Sequence, residues 1–369
     1  MIQQITLISG IFPPETGGPA RFAFEFSKWL VSHRKNVCIV TYGDRGFIKT
    51  PTTGITLNLV RRTKLVLIRY LLSIFIIGKS VRKNSPVLAV GAFIETYLSS
   101  LIFKFDYVVK VPGDIVWERA KNNKVTDLSI SDFQTAELSL KYKTFRILFS
   151  QSLKRANTVI VPSKGLFDLC ILWGVNENKL QLIYNSVSMP DQISLSSINH
   201  KFDLVTVCRL TSWKGVDEII KYAADSRLSL AIAGNGPERE KLEYLAKHLN
   251  ANVHFLGEVS PIAVQELLIQ SQVFVLNSSY EGLPHALIEA RASGVLSVGR
   301  AGTGSEEVIR DGIDGLLIRP DRNLVETLDL VFEGRIDALS FISNATSDTR
   351  ERFDQDINFR LIINVLEKQ

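Results

Sequence analysis

The chain has 369 residues, of which 46% are apolar and 22% are charged. This length suits two domains, and this composition excludes an intrinsically disordered protein. The three cysteines are far apart and form no Cys/His cluster, which argues against a disulfide framework and a zinc site. No signal peptide and no bilayer-length apolar run stands out, so we expect a cytoplasmic protein, with peripheral attachment at the inner face of the membrane as an additional option.

The net charge of +5 is unevenly distributed. Residues 1–190 carry 25 Lys and Arg against 12 Asp and Glu, whereas residues 191–369 carry 18 against 26. This asymmetry indicates that one half faces an anionic partner, either nucleic acid or an anionic membrane surface. No basic motif interleaved with aromatic residues is present, so we do not expect nucleic acid to be the partner.

Short apolar runs rich in β-branched residues alternate with helical patterns in the first half. Strands that alternate with helices are typical of βαβ units with a parallel sheet. The runs predict strands at Ile5–Ser9, Val37–Tyr42, Pro86–Val90, Tyr107–Val111 and Thr158–Pro162, and helices at Gly18–His33, Leu65–Arg82, Glu95–Phe103 and Tyr142–Arg155.

The second half repeats this alternation, so we predict an α/β protein with two Rossmann-like domains facing a central cleft. Segment 189–200 is polar and Ser-rich, as in linkers, which divides the chain into residues 1–188 and 189–369. Asp354–Lys368 predicts an amphipathic helix that can cross back to the first domain. The other predicted elements are strands at Asp203–Cys208, Leu228–Ala233, Val253–Phe255, Val273–Leu276, Leu296–Val298 and Gly315–Ile318, and helices at Gly215–Ala224, Pro237–Asn250, Ala263–Ser271, Pro284–Ser293 and Ser305–Asp311.

A glycine-rich loop follows the first predicted strand. Gly17 and Gly18 precede a helix, and paired glycines let the backbone approach a ligand closely. The N-terminus of that helix would direct N–H groups and a positive dipole end at an anion. A simple βα turn would explain the same residues, so both interpretations stay open.

Two cations follow the first strand of the second half. Arg209 and Lys214 come after Cys208 and ahead of a helix. The planar fork of Arg and the point charge of Lys together suit a diphosphate. Two solvated charges beside a turn are the alternative.

The segment Ser278–Ala290 is the most informative one. Pro284 suits the first turn of a helix, so Glu281 lies just before the helix and Glu289 inside it. The two carboxylates can therefore address two parts of one ligand. Apolar neighbours predict that Glu289 is partly buried, with a ribose diol as a suitable partner. The first backbone N–H groups of the helix region would bind phosphate, namely those of Leu283, His285 and Ala286. A capping role for Glu281 and a surface position for Glu289 are the alternative.

Together these segments resemble the GT-B-fold glycosyltransferases of the large retaining family 4 (glycosyl transferases group 1), over about residues 5–320. No single motif is specific, but their order along the chain is. The motifs are an E-x7-E signature at Glu281–Glu289, a "GRL…KG" element at Cys208–Gly215, a "GxGP" turn at Gly234–Pro237, an "FLG" at Phe255–Gly257 and a "GxxG" tail at Asp311–Gly315.

The resemblance implies roles for the matching residues. Arg209 and Lys214 would hold the donor diphosphate and neutralise the leaving group. Glu281 would contact the transferred sugar, and Glu289 would bind the nucleotide ribose. Family members need no bound metal, so no metal or other cofactor is expected. The other residues expected to bind the donor are Gly17, Gly18, Gly234, Gly282, Leu283 and Pro284.

The sequence departs from the family pattern in two turns. Many members carry a His before an Asp in a turn of the first domain, where this chain has Gly113 and Asp114. We predict that Asp114 contacts the donor sugar or the acceptor hydroxyl, and an N-cap for the next helix is the alternative. The family's "NGVD" turn reads Asn185–Ser188 here, which leaves the role of that loop open.

Residues 61–83 are very apolar between two basic flanks, which include Arg61, Arg62 and Lys64. A buried Rossmann helix and an interfacial helix on an anionic leaflet both fit this pattern. The positive charge of the first half supports the interfacial helix. That interpretation predicts a lipid-linked acceptor, as in the assembly of bacterial surface polysaccharide such as lipopolysaccharide.

The sequence thus predicts a metal-independent, retaining glycosyltransferase of the hexosyltransferase type. It would transfer a sugar from a nucleoside-diphosphate sugar to a glycan or lipid-linked acceptor, with UDP expected before GDP. A non-catalytic partner subunit of the same fold and a nucleotide-sugar epimerase are the alternatives. The intact Arg209, Lys214, Glu281 and Glu289 argue against the partner subunit, and the motif spacing argues against the epimerase.

Overall fold

A computed structural model of the chain describes residues 4–15, 17–43, 53–63, 65–190, 200–302 and 304–368. Contacts divide the chain into two compact units, Met1–Ile183 with Phe359–Gln369, and Tyr184–Asn358. Residues 184–188, which the sequence-based division gave to the first domain, lie in the second unit. Most of the predicted linker, residues 191–199, lies outside the described residues. In the described ranges no helix combines the length and apolar character needed to cross a bilayer.

The first unit is a doubly wound parallel sheet. Its described residues form strands β1 (Gln4–Ser9), β2 (Asn36–Tyr42), β3 (Ile55–Val60), β4 (Val87–Ala89), β5 (Val108–Lys110), β6 (Thr158–Val161) and β7 (Leu180–Leu182). All pairs are parallel, in the order β3-β2-β1-β4-β5-β6-β7. The strand order reverses between β1 and β4, and open α/β sheets bind ligands at the carboxyl ends of the strands that flank such a reversal.

Helices cover both faces of this sheet. One face is packed by the helices after β1 and at the C-terminus, because apolar side chains of both join one core with Ile5 and Leu7. Phe359 anchors the C-terminal helix there, with its ring centroid 5.0 Å from that of Phe26. The helices of this unit are α1 (Gly18–Ser32), α2 (Val66–Ser80), α3 (Phe93–Phe103), α4 (Ile115–Asn122), α5 (Ile130–Thr135), α6 (Leu140–Arg155), α7 (Lys164–Leu172) and most of the C-terminal helix, Gln355–Leu366.

The second unit repeats the architecture. Its strands are β8 (Phe202–Val207), β9 (Leu230–Ala233), β10 (Val253–Gly257), β11 (Ser271–Leu276), β12 (Leu296–Arg300) and β13 (Leu316–Ile318). They pair in parallel in the order β10-β9-β8-β11-β12-β13, so the order reverses between β8 and β11. Its helices are α8 (Val216–Asp225), α9 (Arg239–His248), α10 (Pro261–Ile269), α11 (His285–Ala292), α12 (Leu324–Phe332) and α13 (Ala338–Phe353), and the C-terminal helix follows as α14.

Several elements differ from the sequence-based prediction, which did not include helices α5, α7, α12 and α13. The edge strands β3 and β7 were not predicted, because β3 alternates with polar residues and β7 has only three residues, two of them exposed. The predicted helix Ser305–Asp311 is only a 3-10 turn at Gly304–Glu307. Asp314 accounts for this early end, because its carboxylate accepts the backbone N–H of Arg310 at 2.8 Å.

A fully buried arginine joins α11 to the rest of the second unit. Arg291 donates to Asp314 and to Asp348 of α13, both at 2.8 Å, and its Nε donates to Thr349 at 3.2 Å. Burial acts to raise the pKa of Asp314, but the hydrogen bonds and charge of Arg291, together with bonds from Arg310, hold this pKa below its usual range. The stabilisation from Asp314 is therefore present above its unfolded-state pKa and is lost as the pH falls through the lowered folded-state pKa.

We expect Arg291→Met to lower the free energy of unfolding by about 3 kcal/mol, because it removes the buried cation that Asp314 and Asp348 share and leaves them only the more exposed Arg310 and Arg352. Urea denaturation at neutral pH measures this change. Arg350→Met, at an exposed position of α13, is the matched control and should stay within about 0.5 kcal/mol of the wild type. Equal decreases in the free energy of unfolding of the two variants would contradict the stabilisation that we assign to the buried network of Arg291.

Candidate functional site

The candidate site of the second unit lies at the carboxyl edge of its sheet, where the strand order reverses. The loop after β8 carries Lys214, and the loop after β11 carries Glu281. Their side chains form an ion pair between Nζ and Oε1, and they are only 14% and 15% exposed. The structure thus joins two predicted site residues that are far apart in sequence, across the position where doubly wound sheets bind ligands.

Close backbone packing holds the loop after β8. A Cβ on Gly234 would lie 1.9 Å from the carbonyl oxygen of Cys208, and one on Gly236 would lie 2.2 Å from that of Leu210. The Leu210 N–H also donates to the carbonyl of Asn235 at 3.0 Å. Only glycine permits this approach, so the predicted Gly234 is required by the contact between the two loops.

A network of polar side chains that the motifs did not predict holds the loop that carries Lys214. Asn277 Nδ2 donates to the carbonyl of Gly215 at 3.0 Å and to Glu218 at 2.8 Å. Arg300 donates to Asn277 Oδ1 and to Glu218, both at 2.9 Å. Asn277 directly follows β11 and Arg300 ends the neighbouring β12. Two polar residues at the ends of two predicted strands were the signal in the sequence that could have indicated this network.

The Glu281 loop is held by its backbone. The N–H of Gly304 donates to the carbonyl of Glu281 at 3.0 Å. Asn185, from the altered family turn, donates to the carbonyl of Leu283 at 3.4 Å. Pro284 is the N-cap residue, so the first N–H groups of α11 have no acceptor within the helix.

The remaining predicted residues of this unit are less closely tied to the pair. Arg209 is exposed and makes no ion pair within the part of the chain that the structure describes. Glu289 is half-buried on α11, as its apolar neighbours predicted. Two hydroxyls near the pair, Thr211 Oγ1 and Ser278 Oγ, are buried and have no hydrogen-bond partner among the described residues.

The first unit holds the other predicted residues, at the carboxyl edge of its own sheet. Gly17 is the N-cap of α1 and has a φ of 141°, so this position favours glycine. Gly18 has no atom within 4 Å of its Cβ position and tolerates a side chain. Within the first unit, a Cβ on Gly91 would lie 2.4 Å from the N of Gly10, so the loops after β1 and β4 touch through their backbones.

Asp114 is the N-cap of α4. Its Oδ1 accepts the N–H groups of Val116 and Trp117, both at 3.0 Å, and its Oδ2 accepts from Gln134 at 2.9 Å. The side chain is buried. The capping alternative therefore describes its contacts, and a contact between Asp114 and a substrate stays a prediction.

Lys110 is a buried basic residue that no motif predicted. It ends β5, and its Nζ lies 5.3 Å from the centroid of the Phe22 ring of α1. Burial lowers the pKa of this amine from 10.5 to about 7. A group of this kind at the carboxyl edge of the first sheet can change its charge near neutral pH.

Helix α2 buries Ile74 and Ile77 on one face and presents other apolar side chains to solvent. Leu67, Leu71 and Phe75 are 74%, 59% and 55% exposed. The predicted basic flank before this helix is weaker than its sequence indicates, because Arg62 bonds Glu15 of the first unit at 2.6 Å. Lys64 lies outside the described residues. The helix is thus half-buried, with one face packed on the unit and an apolar face in solvent, and the interfacial interpretation stays a prediction.

Comparison with known proteins connects this site to a family. Residues 191–348, most of the second unit, match the family model described as Glycosyl transferases group 1. The match supports a relationship between this segment and the group 1 glycosyltransferases. It covers both Lys214 and Glu281, so the ion pair lies within the matched segment.

A relative from Campylobacter jejuni also has the name of a glycosyltransferase. It is named GalNAc-alpha-(1->4)-GalNAc-alpha-(1->3)-diNAcBac-PP-undecaprenol alpha-1,4-N-acetyl-D-galactosaminyltransferase and is 33% identical over 177 residues. The alignment covers 45% of this chain and 49% of the relative, so the chain matches about half the length of that protein.

Solved structures of similar fold extend over the whole chain. The Anabaena protein Alr3699/HepE in complex with UDP and glucose matches with a TM-score of 0.78 at 17% identity, over 100% of both chains. WaaG, a glycosyltransferase involved in lipopolysaccharide biosynthesis, matches with a TM-score of 0.74 at 15% identity, over 98% of this chain and 99% of its own. The predicted fold class, α/β with two Rossmann-like units of the GT-B type, is confirmed.

We expect Lys110→Met to remove a component of the pH dependence of stability. Between pH 7 and 10.5 the unfolded chain binds a proton at Lys110 that the folded chain does not, so this component raises the free energy of unfolding as the pH rises. The variant should therefore be more stable than the wild type at pH 7, by up to a few kcal/mol, and the difference should shrink toward pH 9. Urea denaturation across this range measures it.

Lys124→Met, at an exposed lysine of the same unit, is the control for this experiment. It should leave the pH dependence of the wild type unchanged. Parallel curves for Lys110→Met and the wild type would show that the folded protein keeps this amine charged throughout.

Proposed function

We propose that the chain is a metal-independent, retaining glycosyltransferase that uses a nucleoside-diphosphate sugar as donor. The observation that carries this proposal is the Lys214–Glu281 pair at the strand-order reversal of the second sheet. The family match over residues 191–348 and the predicted motifs of the same segment support it.

The donor diphosphate would lie between the loop of Lys214 and the N-terminus of α11. A cation and the first N–H groups of a helix both favour negative charge, which grows on the diphosphate as the glycosidic bond breaks. The buried hydroxyls of Thr211 and Ser278 are further donors in these two loops. Arg209 is exposed and available to the same phosphates. These groups would stabilise the leaving diphosphate more than the intact donor, which is the condition for catalysis.

Glu281 would act on both the protein and the donor sugar. One of its oxygens, Oε1, is bonded to Lys214, which fixes the carboxylate at the edge of the sheet. The other oxygen would accept a hydrogen bond from a hydroxyl of the transferred sugar. Glu289, half-buried on α11, would bind the ribose diol.

Uridine diphosphate is the nucleotide we propose first, with GDP second. The structural likeness to Alr3699/HepE in complex with UDP and glucose supports this order. For the acceptor we propose a lipid-linked saccharide, since the name of the Campylobacter relative includes a PP-undecaprenol carrier. Assembly of a bacterial surface polysaccharide would supply such an acceptor.

We further propose that the first unit rests on an anionic membrane through α2. The apolar side chains of Leu67, Leu71 and Phe75 recur on one face of this helix and are exposed. Arg61 and Arg69 near the start of the helix, and Lys79 near its end, carry positive charge. An apolar face between basic ends is the pattern of an interfacial helix on an anionic leaflet.

Thermal unfolding with UDP, GDP, ADP and CMP, without added metal, tests the donor site. We expect UDP to raise the Tm of the wild type by several degrees, because a ligand at about 100 times its Kd adds about 2.7 kcal/mol to stability. Lys214→Ala should lose this shift, whereas Lys247→Ala, at an exposed lysine of α9, should keep it.

Each other outcome of this panel has a meaning. A shift with GDP alone would change the proposed nucleotide and keep the site. No shift with any nucleotide would contradict the donor site. Nucleotide binding without release of UDP from a UDP-sugar, across a panel of lipid-linked saccharides, would favour the non-catalytic subunit.

Vesicle flotation tests the membrane surface. Replacing Leu67, Leu71 and Phe75 with Ser should weaken binding to phosphatidylglycerol-containing vesicles by about tenfold or more, because less apolar area is then removed from water. The matched control replaces Tyr244, Ile262 and Val325 with Ser, three exposed apolar residues of the second unit. Vesicle binding by both variants equal to that of the wild type would contradict the proposal that α2 docks on the membrane.

A further inference from the structure

A concave site lies in the first unit, on the opposite edge of its sheet from Gly17, Lys110 and Asp114. It is an open cavity of about 620 Å³. Its walls include residues 81–86, which lead into β4, and residues 104–106, which precede β5. Since these segments come before their strands, the cavity opens at the amino edge of the sheet. It therefore lies away from Lys110 and Asp114 at the carboxyl edge.

Positive charge lines this cavity. Arg82, Lys83 and Lys104 are exposed on its walls, and none of the three forms an ion pair within the described ranges of the chain. The two carboxylates of the lining already have cations of their own. Asp106 bonds Arg155 at 3.2 Å, and Glu367 lies 3.7 Å from Lys35. Three cations without counter-ions around one concavity favour an anion with several oxygens, such as a phosphate ester.

The cavity also adjoins the exposed apolar surface of α2 and α3. Gly78 of α2 and Phe103 of α3 are part of its lining, and the Phe103 ring packs so closely on Gly78 that a Cβ there would lie 2.1 Å from it. Phe75, one turn earlier in α2, stacks edge-on against Phe103 with centroids 6.1 Å apart. Ile102, beside Phe103, is 64% exposed. An apolar surface therefore leads directly to the rim of a cationic cavity.

We propose that this cavity binds the phosphate-bearing headgroup of an anionic glycerophospholipid, whose acyl chains follow the apolar surface of α2 and α3. A free phosphate would use the cations and leave the apolar rim without a function, whereas a lipid uses both. The inference rests on the proposed membrane docking of α2, and it adds a defined headgroup site to that surface. It is independent of the donor site.

The test uses dihexanoyl phosphatidylglycerol as a soluble monomer, titrated into the full chain by calorimetry. The variant carries Arg82→Gln, Lys83→Gln and Lys104→Gln, and we expect its affinity for the lipid to fall by about tenfold or more. The matched control carries Arg227→Gln, Lys247→Gln and Arg350→Gln, exposed residues of the second unit. It changes the net charge equally, and Arg227 shares the left-handed backbone of Lys104, with φ of 56° and 55°. The control should bind as the wild type does.

A second measurement on the wild type does not depend on how the variants fold. The lipid should slow chemical acylation of Lys83 and Lys104, read by mass spectrometry, and should leave Lys247 unaffected. Equal lipid affinity of the variant and the wild type, or no binding by the wild type, would overturn the proposal. Inorganic phosphate that displaces the lipid at equal concentration would show a free-anion site instead of a lipid site.

The soluble probe separates this site from the other proposals. Two results together would support both the docking through α2 and the headgroup site. The Ser variant of Leu67, Leu71 and Phe75 would lose vesicle binding, and the wild type would bind the soluble lipid through the three cations. If that Ser variant binds vesicles normally while the wild type binds the monomer, only the docking through α2 is wrong. The UDP-dependent rise in Tm should persist in the Gln variant, so a failure of the donor site would be seen separately.

Discussion

The buried charge of Arg291 fixes the helix on which the candidate donor site depends. A guanidinium without exposure to water is tolerated only when its N–H groups are bonded, and here two aspartates and a threonine accept them. This requirement locks α11 against α13 and against the loop before β13. Because α11 begins directly after the Glu281 loop and carries Glu289, the position of both carboxylates follows from that lock.

The edge of the second sheet combines rigid backbone with a charge pair. Gly234 and Gly236 let the loop after β9 contact the backbone of the loop after β8. Asn277 bonds the same loop after β8, which carries Lys214. The ion pair with Glu281 then forms across the strand-order reversal. A site built in this way has its cation in place before a ligand arrives, so little reorganisation would accompany binding. The basic residues discussed in the first unit differ, because Lys110 is buried beside Phe22 and Arg82, Lys83 and Lys104 line an open cavity.

The sequence predicted those features that depend on local order along the chain. Alternating strands and helices led to the confirmed α/β fold, and the spacing around Pro284 placed Glu281 before α11 and Glu289 within it. The network of Asn277, Glu218 and Arg300 was not predicted, because it forms only when the ends of neighbouring strands align in space. The exposure of the apolar side chains of α2 could not be predicted from the sequence either, because a buried helix and an interfacial helix have the same apolar pattern. Asp114 fitted two interpretations because a capping carboxylate and a ligand-binding one occupy the same turn.

The discontinuous first unit has a consequence for biosynthesis. Its core joins Ile5 and Leu7 with Phe359, Ile362 and other apolar residues of α14, and the whole second unit lies between them in the chain. A ribosome makes residues 4–183 long before α14 emerges, so the nascent first unit exposes the apolar groove that α14 later covers. The second unit, which is continuous in sequence, can complete its core earlier than the unit that precedes it. The core of the N-terminal unit can therefore be completed only after the whole second unit has been synthesised.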